Sequence, residues 1–318
     1  MRNVALALGV TALALGAAEI AVRLLVPVRN VGPSYSTYDP VYGKRLKRNF
    51  HAVRYTPEFT NSLTTNSLGF RGPEPDSASG GSALFIGDSF TMGYGVNDGE
   101  EFPELVRRAL VAKNPHLGVV NSGMGDNGNG RWIKFLRGDA KRFDPRVVVL
   151  QISENDFSDN RKEGLFAIGP GGALVEKPIP QPGWSRTAQD WIEAIPGLDY
   201  SYLIGLLRQA QPARGGAAPQ RTATAAADSL TYRLLEESLA LCERAGWPVL
   251  GLEVGVEGPR LASLQEIFRR QGADLIEAPT RSARPDLYYQ TDGHWNAKGH
   301  QWVAAAVLDR MMGSAALR

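Results

Sequence analysis

A chain of 318 residues with a formal net charge of +2, 43% hydrophobic and 21% charged, is too apolar for a disordered chain and too evenly charged to suggest a nucleic-acid partner. The single cysteine, Cys242, excludes an intrachain disulfide, and four scattered histidines offer no ligand cluster for a metal. The length exceeds an average domain but suits one α/β domain carrying insertions.

Residues 1–27 read as a targeting or anchoring segment outside the fold. Arg2 and the free amine make a short positive end, and an apolar run from Val4 to Ala18 follows. Glu19 and Arg23 are four apart, so on a helix they can pair. Counting that pair, Val4 to Val26 is just long enough to cross a bilayer of about 30 Å. An uncleaved anchor in the inner membrane is preferred to a cleaved secretory signal, and both put the remaining chain outside the cytoplasm, in the periplasm or beyond. A buried amphipathic helix is the third reading.

Residues 28–81 show few periodic runs and read as an irregular extension. The basic stretch Lys44-Arg45-Leu46-Lys47-Arg48 reads as a solvated face, with anionic lipid head groups as the alternative. In Thr65-Asn66-Ser67-Leu68-Gly69-Phe70-Arg71-Gly72, a glycine between two apolar residues and followed by arginine suggests a tight turn set against the domain. Pro73 to Gly81 is a loop.

Residues 82–312 alternate strand and helix signals, leaving 313–318 as a tail. The apolar run Ala83 to Ile86 predicts a buried strand that stops at Gly87 and leads into Asp88-Ser89-Phe90. A serine there sits where open α/β sheets place their ligands, although an Asp-Ser turn capping the next helix explains the triplet equally well. Pro103 suits the first turn of a helix bearing Phe102, Val106 and Leu110, and Gly118 to Asn121 is a short strand before the glycine-rich loop Ser122 to Gly128. The next helix carries Trp132, Phe135, Leu136, Ala140 and Phe143, and Arg146 to Ile152 is the clearest buried strand, ending at Ser153-Glu154-Asn155-Asp156. Residues 158–228 break the rhythm as an insertion near the site: a hairpin over Phe166 to Pro180, partial helix over Trp184 to Leu207, and a low-complexity mobile loop over Gln211 to Ala227. The alternation resumes with a helix from Ser229 to Ala245, a strand from Pro248 to Val254, a helix from Arg260 to Gln271, a strand from Ala273 to Glu277 and a closing helix from Ala297 to Met312. Cys242 falls in a helix, where a buried apolar role is the default. Repeated βα units imply a mainly parallel sheet with helices on both faces.

Four pieces fall at strand ends or in loops: Ser89, the Gly123–Gly125 loop, Asn155 and Asp292-Gly293-His294. A serine hydroxyl needs a base to become a nucleophile, and histidine serves near neutral pH. Asp292, two residues before His294, can fix its tautomer from the same loop, while loop N–H groups and the Asn155 amide are suitable donors to a developing oxyanion. Taken singly, Asp-Gly-His is also a turn and helix cap, and Asn155-Asp156 a turn after a strand. His51 and His116 fall in irregular stretches and His300 inside the last helix, where it reads as structural.

Together these pieces resemble the SGNH, or GDSL-type, esterase superfamily. The matching residues are Gly87-Asp88-Ser89-Phe90, Asn121-x-Gly123, Asn155-Asp156, and Asp292-x-His294 followed by Asn296 and Gly299. The stretch Asn66 to Arg71 and the apolar start resemble a membrane-anchored bacterial branch of that superfamily. The resemblance implies a three-layer α/β/α flavodoxin-like domain, Ser89 as nucleophile, His294 as base, Asp292 as its orienter, and an oxyanion hole from Ser89, Gly125 and Asn155. Two departures stand out: many members have Asp-x-x-His, and the oxyanion glycine often lies further from Asn121, where this chain has Asp126. The function expected is a serine esterase, without metal or cofactor, acting on O-acyl, above all O-acetyl, groups of a cell-envelope carbohydrate. An acyltransferase on the same substrates, a lipid esterase, and a degenerate domain that binds glycan or a partner are the rivals.

Overall fold

The computed structural model describes residues 2–75, 80–210 and 225–313. It begins with helix α1 (Arg2–Leu25), whose most apolar stretch has a mean hydropathy of 2.0 and no buried residue, long and apolar enough for a membrane span or a secretory signal. The region expected to be irregular instead forms two antiparallel hairpins, β1 (Ser36–Asp39) with β2 (Gly43–Leu46) and β3 (His51–Tyr55) with β4 (Thr60–Thr64). Strands of four or five residues are too short for an alternation to stand out. Their Leu46, Ala52 and Leu63 pack with Tyr35, Met92 and Met124 in a small core.

The basic stretch is not a solvated face. Lys44 to Leu46 form β2, the Lys44 ammonium donates to the Gly125 carbonyl, Arg45 donates to the Leu68 carbonyl, and Lys47 pairs with Glu193, leaving Arg48 exposed. The turn after β4 does lie against the domain. The Asn66 side chain accepts the N–H groups of Leu68 and Phe70, and the buried Arg71 guanidinium donates to the carbonyls of Ser62, Met92, Gly93 and Val96.

The α/β unit follows: β5 (Ser82–Ile86), α2 (Ser89–Met92), α3 (Phe102–Val111), β6 (Gly118–Asn121), α4 (Asn129–Arg137), β7 (Pro145–Ser153) and α5 (Asp156–Glu163). Next come the β8 (Phe166–Ile168) and β9 (Leu174–Glu176) hairpin, α6 (Trp184–Glu193) and α7 (Tyr202–Ala210). Then α8 (Ala225–Ala245), β10 (Val249–Val254), α9 (Gly258–Arg270), β11 (Asp274–Glu277) and α10 (Ala297–Gly313) complete the unit. Five strands form one parallel sheet in the order β11-β10-β7-β5-β6, the flavodoxin-like order.

Side-chain alternation along β5 and β7 splits the core in two. Ala83, Phe85, Val147 and Val149 meet α3 and α10 through Phe102, Val106, Val303 and Val307. Leu84, Ile86, Val148 and Leu150 meet α4, α8 and α9 through Trp132, Leu136, Leu235, Leu239 and Phe268. Cys242 is buried in this second core, and burial pushes its thiol up to about 12, as suits a packing residue.

Two helix expectations change. The helix expected to reach Phe143 stops at Arg137 because Gly138 takes φ −101 and ψ −88, and Ala140–Phe143 is a separate 3-10 turn. Of the stretch expected to be a mobile loop, residues 211–224 lie outside the described residues, whereas Ala225 already belongs to α8.

Candidate active site

Strand β5 lies between β6 and β7, so chain order reverses there and a crevice opens beyond its carboxyl end. Ser89 is the third residue past that end. Asp88 before it is fully buried and caps α2, one carboxylate oxygen accepting the Phe90 N–H at 2.8 Å and the other the Ser153 hydroxyl at 2.5 Å. Burial raises its pKa above the usual carboxylate value. The Asp88 N–H in turn donates to the Gln151 side chain at 3.0 Å. Gln151 and Ser153, both on β7, therefore hold the serine turn from beneath. Gly87 is required at this approach, since a Cβ there would meet the Gln151 side-chain oxygen at 2.4 Å.

His294 arrives from the far end of the chain, in the segment before α10. The Tyr289 N–H donates to the His294 carbonyl at 2.9 Å, and neighbouring Trp295, 1% exposed, anchors the segment in the core. Its Nε2 lies 2.7 Å from the Ser89 Oγ and its Nδ1 2.5 Å from the Asp292 carboxylate. The short Asp-x-His spacing closes because Gly293 takes φ +87, which lets the loop turn within one residue. The rings of Phe90 and Tyr94, each 4.8 Å from the imidazole centroid, flank the histidine. Serine, histidine and aspartate are thus brought into one relay. In it the Nε2 can take the hydroxyl proton while the carboxylate holds the Nδ1 proton in place.

A cleft of about 350 Å³ opens over Ser89, His294 and Asp292. Gly125, Asp126 and Lys44, which donates to the Gly125 carbonyl, line it together with Asn30, Ser34, Ser36 and Arg54 of the extension and the apolar Leu46, Met92 and Met124. A Cβ built on Gly125 would stand 3.8 Å from the Ser89 Cβ, so this residue adjoins the serine. Asp126 takes φ +51, the left-handed region that favours glycine, and its carboxylate is 3.6 Å from the Lys44 ammonium. Burial lowers the Lys44 pKa, with Asp126 opposing. Asn155 is not among the residues lining the cleft. It stands at the start of α5, its amide donating to Asp159 at 2.8 Å and its carbonyl oxygen accepting the Ser153 hydroxyl that also contacts Asp88.

His300 is fully buried, with its Nδ1 accepting the Phe102 N–H, and burial pulls it down to about 3, a structural role. Among the described residues, no group of three or more His, Cys, Asp or Glu side chains is placed to hold a metal ion. Glu58, Gln151 and Ser153 escape sequence reasoning, and Lys44 reads there only as part of a basic face. Their partners in the site, Asp292, Asp88 and Gly125, come from distant segments.

A family model described as GDSL-like lipase/acylhydrolase matches residues 85–302. Among solved structures, the chain is similar to the psychrotrophic esterase EstA from a Pseudoalteromonas species, with 14% identity, 73% of this chain and 97% of that one covered, and a TM-score of 0.44. It is also similar to an acetyl xylan esterase from Geobacillus stearothermophilus, with 14% identity, 74% and 95% covered, and a TM-score of 0.42. No curated protein matches the chain.

Proposed function

We propose that this chain, which belongs to the GDSL-like lipase/acylhydrolase family and is an ester hydrolase of that type, acts outside the cytoplasm on O-acyl, above all O-acetyl, groups of a cell-envelope carbohydrate. The observation that carries the chemistry is the continuous relay from the Ser89 Oγ through the His294 imidazole to the Asp292 carboxylate, at 2.7 and 2.5 Å. Ser89 attacks the acyl carbonyl, its proton passes to His294 Nε2, and that proton then leaves with the sugar alkoxide. Water, deprotonated by the same nitrogen, releases the acid from the acyl-enzyme. The N–H groups of Ser89 and of Gly125 or its neighbour Asp126 are assigned to the oxyanion, and the Asn155 amide is the third donor once it turns from Asp159 toward the serine.

The polar groups of Asn30, Ser34, Ser36 and Arg54 in the cleft wall suit a hydroxyl-rich acceptor, and Leu46, Met92 and Met124 beside them offer an apolar patch to the acyl group. The apolar α1 supports the compartment: a retained anchor with the domain on the outer side of the inner membrane. A fluorophosphonate probe tests the chemistry. It should label Ser89 in the wild type and nothing in Ser89→Ala, and a wild type that stays unlabelled while hydrolysing acetyl esters refutes the serine mechanism. Alkaline phosphatase fused after Arg318 tests the compartment, and an inactive reporter on a well-expressed fusion refutes it.

A further inference from the structure

Helix α6 turns its polar side inward. Arg186 donates to the Ser36 carbonyl at 3.0 Å, and Glu193 pairs with Lys47 at 2.7 Å, so the charged side faces the catalytic extension. Trp184 and Trp191 are 71% and 70% exposed, and Ile195 just past the helix end is 54% exposed. Seven residues apart, the two tryptophans fall within about 20° of each other around a helix of 3.6 residues per turn. Soluble helices place such side chains the other way round.

What lies beyond that face follows from the next helix. The start of α7 is tied to the C-terminal end of α1, the Glu19 carboxylate accepting the Ser201 hydroxyl and the N–H groups of Tyr202 and Leu203 at 2.7 to 2.9 Å. The Arg23 guanidinium lies 4.7 Å over the Tyr202 ring, and Leu203 and Leu206 pack against Val22 and Val28. Leu207 of α7 is exposed, as are Leu24 and Leu25 at the end of α1. The apolar surface of α7 is therefore attached where α1 would leave a bilayer, and α6 is joined to α7 through the Asp199 carboxylate, which accepts from Gln189 of α6 at 3.4 Å and from Arg208 of α7 at 2.8 Å. Tryptophan is enriched at that depth, where its ring suits the boundary between head groups and acyl chains.

We propose that α6, together with Leu207, lies in the head-group layer of the membrane that α1 spans, on its outer side. It thereby holds the cleft wall at Ser34 and Ser36 beside the bilayer. This inference rests on the reading of α1 as a retained anchor.

The test uses the full chain reconstituted into vesicles of phosphatidylcholine and phosphatidylglycerol, with and without lipid brominated near the head group. Tryptophan emission of the wild type is compared with that of Trp184→Phe/Trp191→Phe, which removes two of six tryptophans. Bromolipid should quench the wild type, the double variant should lose most of that quenching, and both should hydrolyse a soluble acetyl ester at the same rate. Equal quenching of the two proteins, with a water-soluble quencher reaching Trp184 and Trp191 instead, overturns the proposal. The anchor is read separately, by floating native membranes from cells making the chain. A chain released by cleavage of α1 removes anchor and proposal together. An intact, floating chain whose two tryptophans stay unquenched in the vesicles removes the proposal alone.

Discussion

The carboxylate of Glu58, in the turn between β3 and β4, accepts the backbone N–H of Asp292 at 2.6 Å and that of Thr291 at 2.9 Å. The extension thus grips the loop that carries the acid of the relay. Phe59 reinforces the grip by packing on Tyr94 and Tyr289, with ring centroids 5.4 and 4.6 Å away. Glu58→Ala should free this loop and lower kcat by about 10- to 100-fold through misplacement of His294, with KM nearly unchanged. Glu58→Gln keeps one acceptor oxygen and should recover part of the loss. Steady-state kinetics on a small acetyl ester checks both; an unchanged kcat in Glu58→Ala refutes the positioning role.

Asp292→Asn should leave the fold intact and lower kcat on the order of 10²- to 10⁴-fold, because the imidazole then favours the wrong tautomer. Ser89→Ala and His294→Ala should lose at least as much, and their combination little more, since the residues act as one unit. If Asp292→Asn alone is harmless, the chemistry is that of a Ser-His dyad. Melting temperatures measured alongside separate lost chemistry from unfolding.

Asn155→Ala should cost roughly 10²- to 10³-fold, mainly in kcat, if its amide serves the oxyanion. Its place beside Ser153 and Asp159 gives a competing structural outcome: lower thermal stability with little change in kcat. Kinetics and melting of one variant decide between the two.

Arg71 joins the extension to the loop after Ser89. Its side chain is fully buried, donates to four carbonyls, and lies 3.7 Å from the Glu101 carboxylate, itself buried. Arg71→Met should destabilise by about 3–5 kcal/mol, because these acceptors and Glu101 are left without their partner. A lysine ammonium lacks the planar fork, so Arg71→Lys should recover only a minor part. Urea unfolding of the two variants provides the measurement.

Glu253 on β10 is 2% exposed, and burial pushes its carboxyl up to about 7 from the ordinary 4.5. The folded state keeps a proton that the unfolded chain releases, so the stability linked to this group is full below pH 4.5 and lost as pH rises through 7. Glu253→Gln keeps an oxygen for the Val256 N–H but cannot ionise. It should be more stable than wild type at pH 8 by at most about 3 kcal/mol and similar to it near pH 4. Melting temperatures across that range check the sign.

The β5-to-β11 strands and most of the helices around them were legible in the chain because hydrophobic periodicity is a local property. Val147 to Ile152 can only be a buried strand, and α3 shows its apolar stripe within ten residues. Ser89 was legible by its place after β5, and Asp292 and His294 because both lie in one short loop. The four extension strands were not, since four or five residues carry too little pattern. The basic stretch around Lys44 was misread because burial of a lysine depends on the loop it meets, here Gly125 and Asp126, 81 residues away for the hydrogen-bonded carbonyl. Glu58 and Asp292 stand 234 residues apart, and nothing near either marks the other as its partner. The polar inward side of α6 was equally hidden, because an amphipathic pattern states that two faces differ but not which one meets the protein. Local pattern assigns the elements; which surfaces of those elements touch is settled by packing in three dimensions, where side chains far apart in sequence compete for the same neighbours.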